Sequence, residues 1–414
     1  VNSLTLGDVT ATGNLNAKAE DDLVLEGNVS ADTLDLTATS GEINQTAGKL
    51  SVVSGPTNLT ASTDITLGSV DNDFNGTVNA QGNNLALTDG TGGLTLGDIT
   101  AGGTFDVTST DGAIDQAAGT TIAVTGETDL VASDGGDPAT TYAITLDGAN
   151  NDFATVNADG AGITLVDANS LTLGDVTATG KLDTTVGADL SLTGAIQARS
   201  LAMFAPRSIS QIGGLISIAT GQASFESGGD VILSQANNAF GGPVTLDGQN
   251  VTIVAASSLD IAALHARSNA GFTTGGDLLL GPSIIGGNLT AKTDGGSITQ
   301  RAAVRVEGEA RFDAGAGKVN LSHPDNYFPS GATSVGASVV VSGDANAASS
   351  QASAGVLYQE IIAEKFEPAR SADSFSSGAV TSDVLVTSDA AAQQIDISLC
   401  MALAASANLT CISD

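Results

Sequence analysis

The chain has no tryptophan, three tyrosines, two histidines, two methionines and two cysteines among 414 residues. One thick globular core normally leans on large aromatic rings, so their scarcity argues against it. Alanine, valine, leucine and isoleucine supply most of the 41% apolar fraction, which suits a thin, regularly stacked interior. Basic side chains are also few, 13 against 46 acidic ones, for a formal charge of −33. Such a surface repels a phosphate backbone and anionic lipid, which sets nucleic acid aside as a partner. The charge reads as solubility and self-repulsion for an exposed fibre. No window reaches the roughly 18 uninterrupted apolar residues of a membrane helix, and no basic segment with an apolar run opens the chain. Val1 starts in mid-repeat, which reads as the C-terminal part of a longer protein whose export signal lies upstream.

What is present is repetition. One phrase occurs three times, LTLGDVTATGNL from Leu4, LTLGDITAGGTF from Leu94 and LTLGDVTATGKL from Leu171. A second, G-x-I-x-Q or a near variant, stands at Gly41, Gly112, Arg207 and Gly296. A third centres on a phenylalanine after Asn-rich residues, at Phe74, Phe153, Phe240 and, more weakly, Phe328. Their constant order defines four diverged super-repeats over residues 1–342, a pattern of solenoids and arrays.

Within each super-repeat, short alternating runs such as LTLGDVT, DLVLEG and TLDLTA are separated by Gly, Asn, Asp and Ser every ~8–12 residues. Alternation places Leu, Val and Ile on one face and Thr, Asp or Ser on the other, while Gly, Asn and Asp tolerate the backbone of sharp corners. Helical periodicity is almost absent. These features predict an all-β chain folded as a right-handed parallel β-helix, a solenoid with a C-terminal non-repeat extension. Seventeen or so coils at ~4.8 Å would span roughly 80 Å, each super-repeat dividing into about four. The recurring phenylalanines, several coils apart, are expected to be local plugs beneath corners, with a sugar-stacking platform as the functional alternative.

Signs of chemistry are sparse. His265 and His323 are distant in sequence and lack Cys or Glu at ligand spacing, so they are read as solvated or corner histidines, with no metal site and no cofactor. Polysaccharide-cleaving β-helices need carboxylates clustered with Lys or Arg. Asp22, Asp64, Asp98, Asp115, Asp230 and Asp277 are candidates for outward projection, yet basic partners are scarce before Arg199. The Gly-rich stretches at Asp134 and Ser227 match no phosphate-binding pattern, and no calcium-binding nonapeptide occurs. The chain is therefore read as no enzyme, with no catalytic residues.

Sequons for N-glycosylation stand at Asn28, Asn44, Asn58, Asn75, Asn250, Asn288, Asn320 and Asn408. A corner Asn followed by an inward Leu or Val and an outward Thr spells the same motif through coil geometry alone. Composition changes after the repeats. Residues 343–355 form an Ala/Ser linker, 356–399 an extension whose spacing of Leu357, Ile361, Ile362 and Phe366 suits a short amphipathic helix or an irregular strand pair ended by Pro368, and 400–414 a terminal segment holding Cys400 and Cys411. In an exported protein these cysteines most simply close a small disulfide loop; two buried free thiols are the alternative.

The ordered LTLGDVTATG and NDF phrases resemble the filamentous-haemagglutinin-like exoproteins of two-partner secretion in Gram-negative bacteria. A loop closed by Cys400 and Cys411 is similar to the tail of the high-molecular-weight adhesins of that group, where it holds the fibre in its outer-membrane transporter. The resemblance thus implies an extracellular, cell-surface adhesin stalk, a transporter and an unknown receptor as partners, and sugars on Asn. The N-terminal secretion domain of that group is not in this sequence. A self-assembling matrix or surface filament is the second expectation. A toxin-delivery stick is a third, against which stands the Ser/Ala-rich, catalytically bare segment after Gly343.

Overall fold

A computed structural model describes residues 2–342, and the linker, extension and terminal segment, with Cys400, Cys411 and Asn408, lie outside the described residues. The described residues are all strand, turn and corner, wound as a parallel β-solenoid of about 17 turns.

The first coil shows how sequence makes a turn of the winding. Strands β1 (Leu4–Leu6), β2 (Val9–Thr10) and β3 (Asn14–Ala19) form three sides joined by Gly- and Asp-containing corners. The next coil repeats them as β4 (Leu23–Leu25), β5 (Val29–Ala31) and β6 (Thr33–Ala38), paired in parallel with Leu4 opposite Leu23, Val9 opposite Val29 and Leu15 opposite Leu34. Since side chains alternate across a strand, a matched register stacks every inward residue on another inward residue. Leu23, Leu25, Leu34 and Leu36 are each at most 1% exposed, while Val24 and Asp35 between them keep partial access to solvent. Fully burying one such leucine is worth about 1.5–3 kcal/mol, and the core continues as one cluster from coil to coil.

Glycine is required where corners of adjacent coils nearly touch. A Cβ on Gly27 would lie 2.4 Å from the carbonyl carbon of Gly7, and one on Gly214, whose φ is +60°, would lie 1.8 Å from the carbonyl oxygen of Gly194. No side chain fits either gap.

The super-repeats do not span whole turns. Ile43 and Ile209, equivalent residues of the second phrase, lie in one column of paired strands, linked through Ile65, Leu85, Phe105, Thr128 and Val156, then through the strand holding Leu171 and Leu173 to Leu190. Ile114 belongs to another column, which runs through Ile144, Ile163, Leu182, Leu201, Ala223 and Val244 to the strand Leu259–Ala266, and from there to Leu278 and Ile298. Successive super-repeats therefore present the same phrase on alternate sides, a difference from the simple division into four coils that repeat spacing predicts.

Candidate functional site: the Gln–Asn corner and the outer faces

The second and third phrases, far apart in sequence, meet at one recurrent corner. Gln45, the last residue of GEINQ, lies against Asn72, two residues before Phe74. The Gln45 Nε2 donates to Asn72 Oδ1 at 2.8 Å, and Asn72 Nδ2 donates back to Gln45 Oε1 at 2.9 Å. The same reciprocal pair joins Gln116 to Asn151, Gln211 to Asn238 and Gln300 to Asn326. Each Asn also accepts a backbone N–H from the previous coil, from Leu50, Ile122, Ile216 or Val304, at 2.8–2.9 Å. The four Asn side chains are buried, so these bonds satisfy amide groups that would otherwise be costly to enclose. The link was detectable in sequence as a fixed offset, 26 or 27 residues in three copies and 35 in the second. The longer interval holds a loop from Asp134 to Thr140, exposed throughout and closed by a bridge between Ser133 and Thr141.

Beneath the corner, Phe74, Phe153, Phe240 and Phe328 are at most 5% exposed. They are plugs, as expected, and cannot serve as a sugar platform. Phe240 meets Phe225 edge-on at 6.3 Å, and Phe328 meets Phe312 at 5.9 Å. In the first two copies a buried carboxylate caps the phenylalanine: Phe74 N–H donates to Asp89 Oδ1 at 2.9 Å and Phe153 N–H to Asp167 Oδ2 at 2.7 Å. Burial pushes Asp89 up to about 6, aided by the charge of Asp73 and opposed by backbone N–H groups of Phe74, Thr91 and Gly93. Burial also raises Asp167, against donation from Phe153 and Asn169. Ala255 takes the equivalent position in the third copy.

Most of the proposed outward carboxylates serve as corner caps. Asp22, Asp64, Asp98, Asp230 and Asp277 each accept the backbone N–H of a residue one coil later, respectively Glu42, Asn84, Thr121, Asn250 and Ser297. Asp115 stands exposed on its strand, opposite Thr95 and Thr145. The structure does not gather the six. A closer group is Asp106, Glu127 and Asp129, with Asn157 Nδ2 donating to Glu127 and, at 2.7 Å, to Asp129. Asp106 is raised by burial first and then by Asp129 and Glu127.

The histidines lie apart. His265 Nδ1 is 3.2 Å from Asp247 Oδ2, beside Arg267, and His323 Nδ1 accepts the Asp325 N–H at a corner. No group of three or more His, Cys, Asp or Glu suited to a metal occurs among the described residues.

The seven described sequons fall into three settings. Asn28, Asn250 and Asn288 belong to corner ladders, each followed by an inward Val29, Val251 or Leu289. The longest ladder runs Asp230, Asn250, Asn269, Asn288, Glu309, each accepting the N–H of the next. Asn44, Asn58 and Asn75 donate their Nδ2 to neighbouring carboxylates, Glu42, Asp35 and Asp73. Asn320 is exposed on the strand Lys318–Leu321.

Charge is divided unevenly along the winding. Residues 2–180 carry 25 acidic and two basic side chains, whereas residues 181–342 carry 12 and nine. The first half is thus a polyanionic sheath, and the second is nearly balanced by Arg and Lys.

A family model described as repeats of unknown function (DUF5649) matches residues 18–81, 82–159, 188–247 and 267–336, together about two thirds of the chain. The chain belongs to this family. Each DUF5649 match ends inside the third phrase, six to eight residues beyond its phenylalanine, and each encloses one Gln–Asn pair. The corner is therefore common to all four DUF5649 matches of this chain, whereas the LTLGD phrase falls only within the second. No curated protein and no solved structure matches the chain.

Proposed function

We propose that this repeat protein is the stalk of a bacterial cell-surface adhesin, exported by a two-partner system and tethered to the outer membrane through its C-terminal loop. The observation that carries the stalk is the repeated coil junction: length is gained by using one contact again and again, with the interior filled by stacked Leu, Val and Ile. The role is mechanical. A stiff column holds binding regions away from the cell, an outer-membrane transporter retains its base, and a receptor on a host or neighbouring cell is the distal partner. The adhesin and tether rest on the resemblance of the phrases and of Cys400 and Cys411. Five of the six candidate carboxylates, all but Asp115, are committed to capping N–H groups, which favours a non-enzymatic role.

Cells carrying the intact protein, or its Cys400→Ser, Cys411→Ser double variant, test the tether through non-reducing mass spectrometry of retained and shed material. An intramolecular bond with retention of the parent and release of the variant supports it. Free thiols, or equal retention, remove the anchor and leave a self-assembling surface filament as the better reading.

A further inference from the structure

Gln116 and Asn151 close the second corner across an insertion, the loop from Asp134 to Thr140. It is the longest unbroken exposed run among the described residues. Its two ends are fixed to the winding. Ser133 donates its N–H to Ser109 O at 3.0 Å, Asp134 N–H donates to Thr140 O at 3.0 Å, and Tyr142 N–H donates to Ala132 O at 2.8 Å. Asp134 Oδ1 also accepts the N–H groups of Gly136 and Thr140, at 2.9 and 2.8 Å. Asp137, at the tip, has no hydrogen bond or ion pair among the described residues, so its carboxylate is free to turn on its own backbone.

That tip holds Asp137–Pro138, the one Asp–Pro bond of the chain. An aspartate carboxylate reaches its own backbone carbonyl carbon by closing a small ring, an attack favoured by proximity. The outcome depends on the next residue. Before glycine, as at Asp111 and Asp147, the following N–H competes by attacking the side chain, which rearranges the backbone without cutting it. Proline has no N–H for that route, and its tertiary nitrogen takes up a proton readily as it departs.

We infer that Asp137–Pro138 is a self-cleavage site and that the cut column stays assembled. The Asp137 carboxylate oxygen bonds to the Asp137 carbonyl carbon, the bond from that carbon to Pro138 N breaks, and the nitrogen takes a proton from solvent. Water then opens the cyclic anhydride, leaving two carboxyl groups on Asp137 and a free prolyl amine on Pro138. The ladders all lie outside the loop. Thr128 stays between Phe105 and Val156, and Ile144 between Ile114 and Ile163. After the cut, hydrogen bonds and core packing alone join the two pieces. The inference stands apart from the surface-stalk reading, since it needs only the loop and its bond.

Purified full chain, held with protease inhibitors in mild acid or at neutral pH and assayed after return to neutral, tests it. Intact mass, amino-terminal sequencing and native against denaturing electrophoresis are the readouts. The expected result is one new amino terminus at Pro138, formed faster in acid, with pieces 1–137 and 138–414 running together as the uncut 40.7 kDa chain until denaturant parts them. Asp137→Ala removes the nucleophile, and Pro138→Ala restores an N–H and a poorer leaving group. Each should slow the cut at least about tenfold at an unchanged melting temperature, because both side chains are exposed. A parent that stays intact, a cut of equal rate in the Asp137→Ala chain, or scission spread over other bonds overturns the cleavage site. Pieces that separate without denaturant overturn the assembled column.

Discussion

Gln45 and Asn72 hold each other through both ends of their carboxamides, across 27 residues of sequence and one turn of the solenoid. The pair fixes the corner because Asn72 also takes the N–H of Leu50 and gives its own N–H to Leu67 O and Thr88 O. Three coils are thereby joined at one side chain.

Removing that side chain should be costly. Asn72→Ala leaves the buried Leu50 N–H without its partner and strips the Gln45 amide of its reciprocal bonds, leaving it only those with Gly48 O and the Ser69 N–H, a loss of about 2–4 kcal/mol. Gln45→Ala should cost less, because Asn72 keeps its backbone bonds, and the double variant should show coupling of about 1 kcal/mol or more. Native-state hydrogen exchange around residues 45–75 reads the effect locally, which suits a solenoid that need not unfold in one step. Additive effects would show that the two amides act separately.

Two glycines separate close approach from mere flexibility. Gly214→Ala places a methyl 1.8 Å from the Gly194 carbonyl at a positive φ, so the coils must part and stability should fall by at least about 2 kcal/mol. At Gly271, on the strand Ala270–Thr274, a methyl would reach only ordinary contact with Thr252, 3.8 Å away, and Gly271→Ala should be neutral or slightly stabilising. Thermal melts of both variants check the contrast.

Acid should strengthen the first half of the solenoid. Asp89 titrates near 6 in the folded chain and near 3.8 when free, so folding disfavours its charged form. Below the free value both states are protonated and there is no penalty; the penalty appears as pH rises through 4 to 6 and is complete above 6. Local stability should therefore increase from pH 7 to pH 4, by on the order of 1–2 kcal/mol once partial solvent screening is allowed for. Asp89→Asn keeps an oxygen for the Phe74 N–H and should abolish most of this dependence. Exchange at Phe74 that is equally pH-dependent in both proteins would assign the effect elsewhere.

Salt should act on the two halves differently. With 25 acidic against two basic side chains, residues 2–180 repel themselves, and screening relieves that strain. Raising ionic strength from about 0.01 to 0.15 M shortens the screening length from about 30 to 8 Å. Protection of the first eight or so coils should rise more than that of residues 181–342, where Arg267 and Arg301 already pair with Asp247 and Asp260. A uniform response would show that self-repulsion does not limit the acidic half.

Much of the solenoid was legible because its signals are local and repeated. Alternation in LTLGDVT fixed which residues face inward, and the order of the three phrases gave the super-repeat. The plug role of Phe74 and its equivalents followed from their isolation in sequence. The Gln–Asn pair was not legible from either phrase alone, since Gln45 and Asn72 look like ordinary turn residues until a coil of winding brings them together. Nor was the role of Asp64 or Asp98: an exposed aspartate that caps the next coil and one that serves chemistry read alike in a single sequence. The burial of Asp89 was hidden for a further reason, because alternation in LALTD places an aspartate on the inward side, where polarity argues against it.

The alternation of columns constrains how this chain can change length. The second phrase sits on one side at Ile43 and Ile209 and on the other at Ile114 and Ile298, so insertion or loss of a single super-repeat would swing every later decoration around the axis. Adding two together would restore the original bearing. Duplications in pairs would move a distal feature outward and leave it pointing the same way, whereas an odd number would re-aim it.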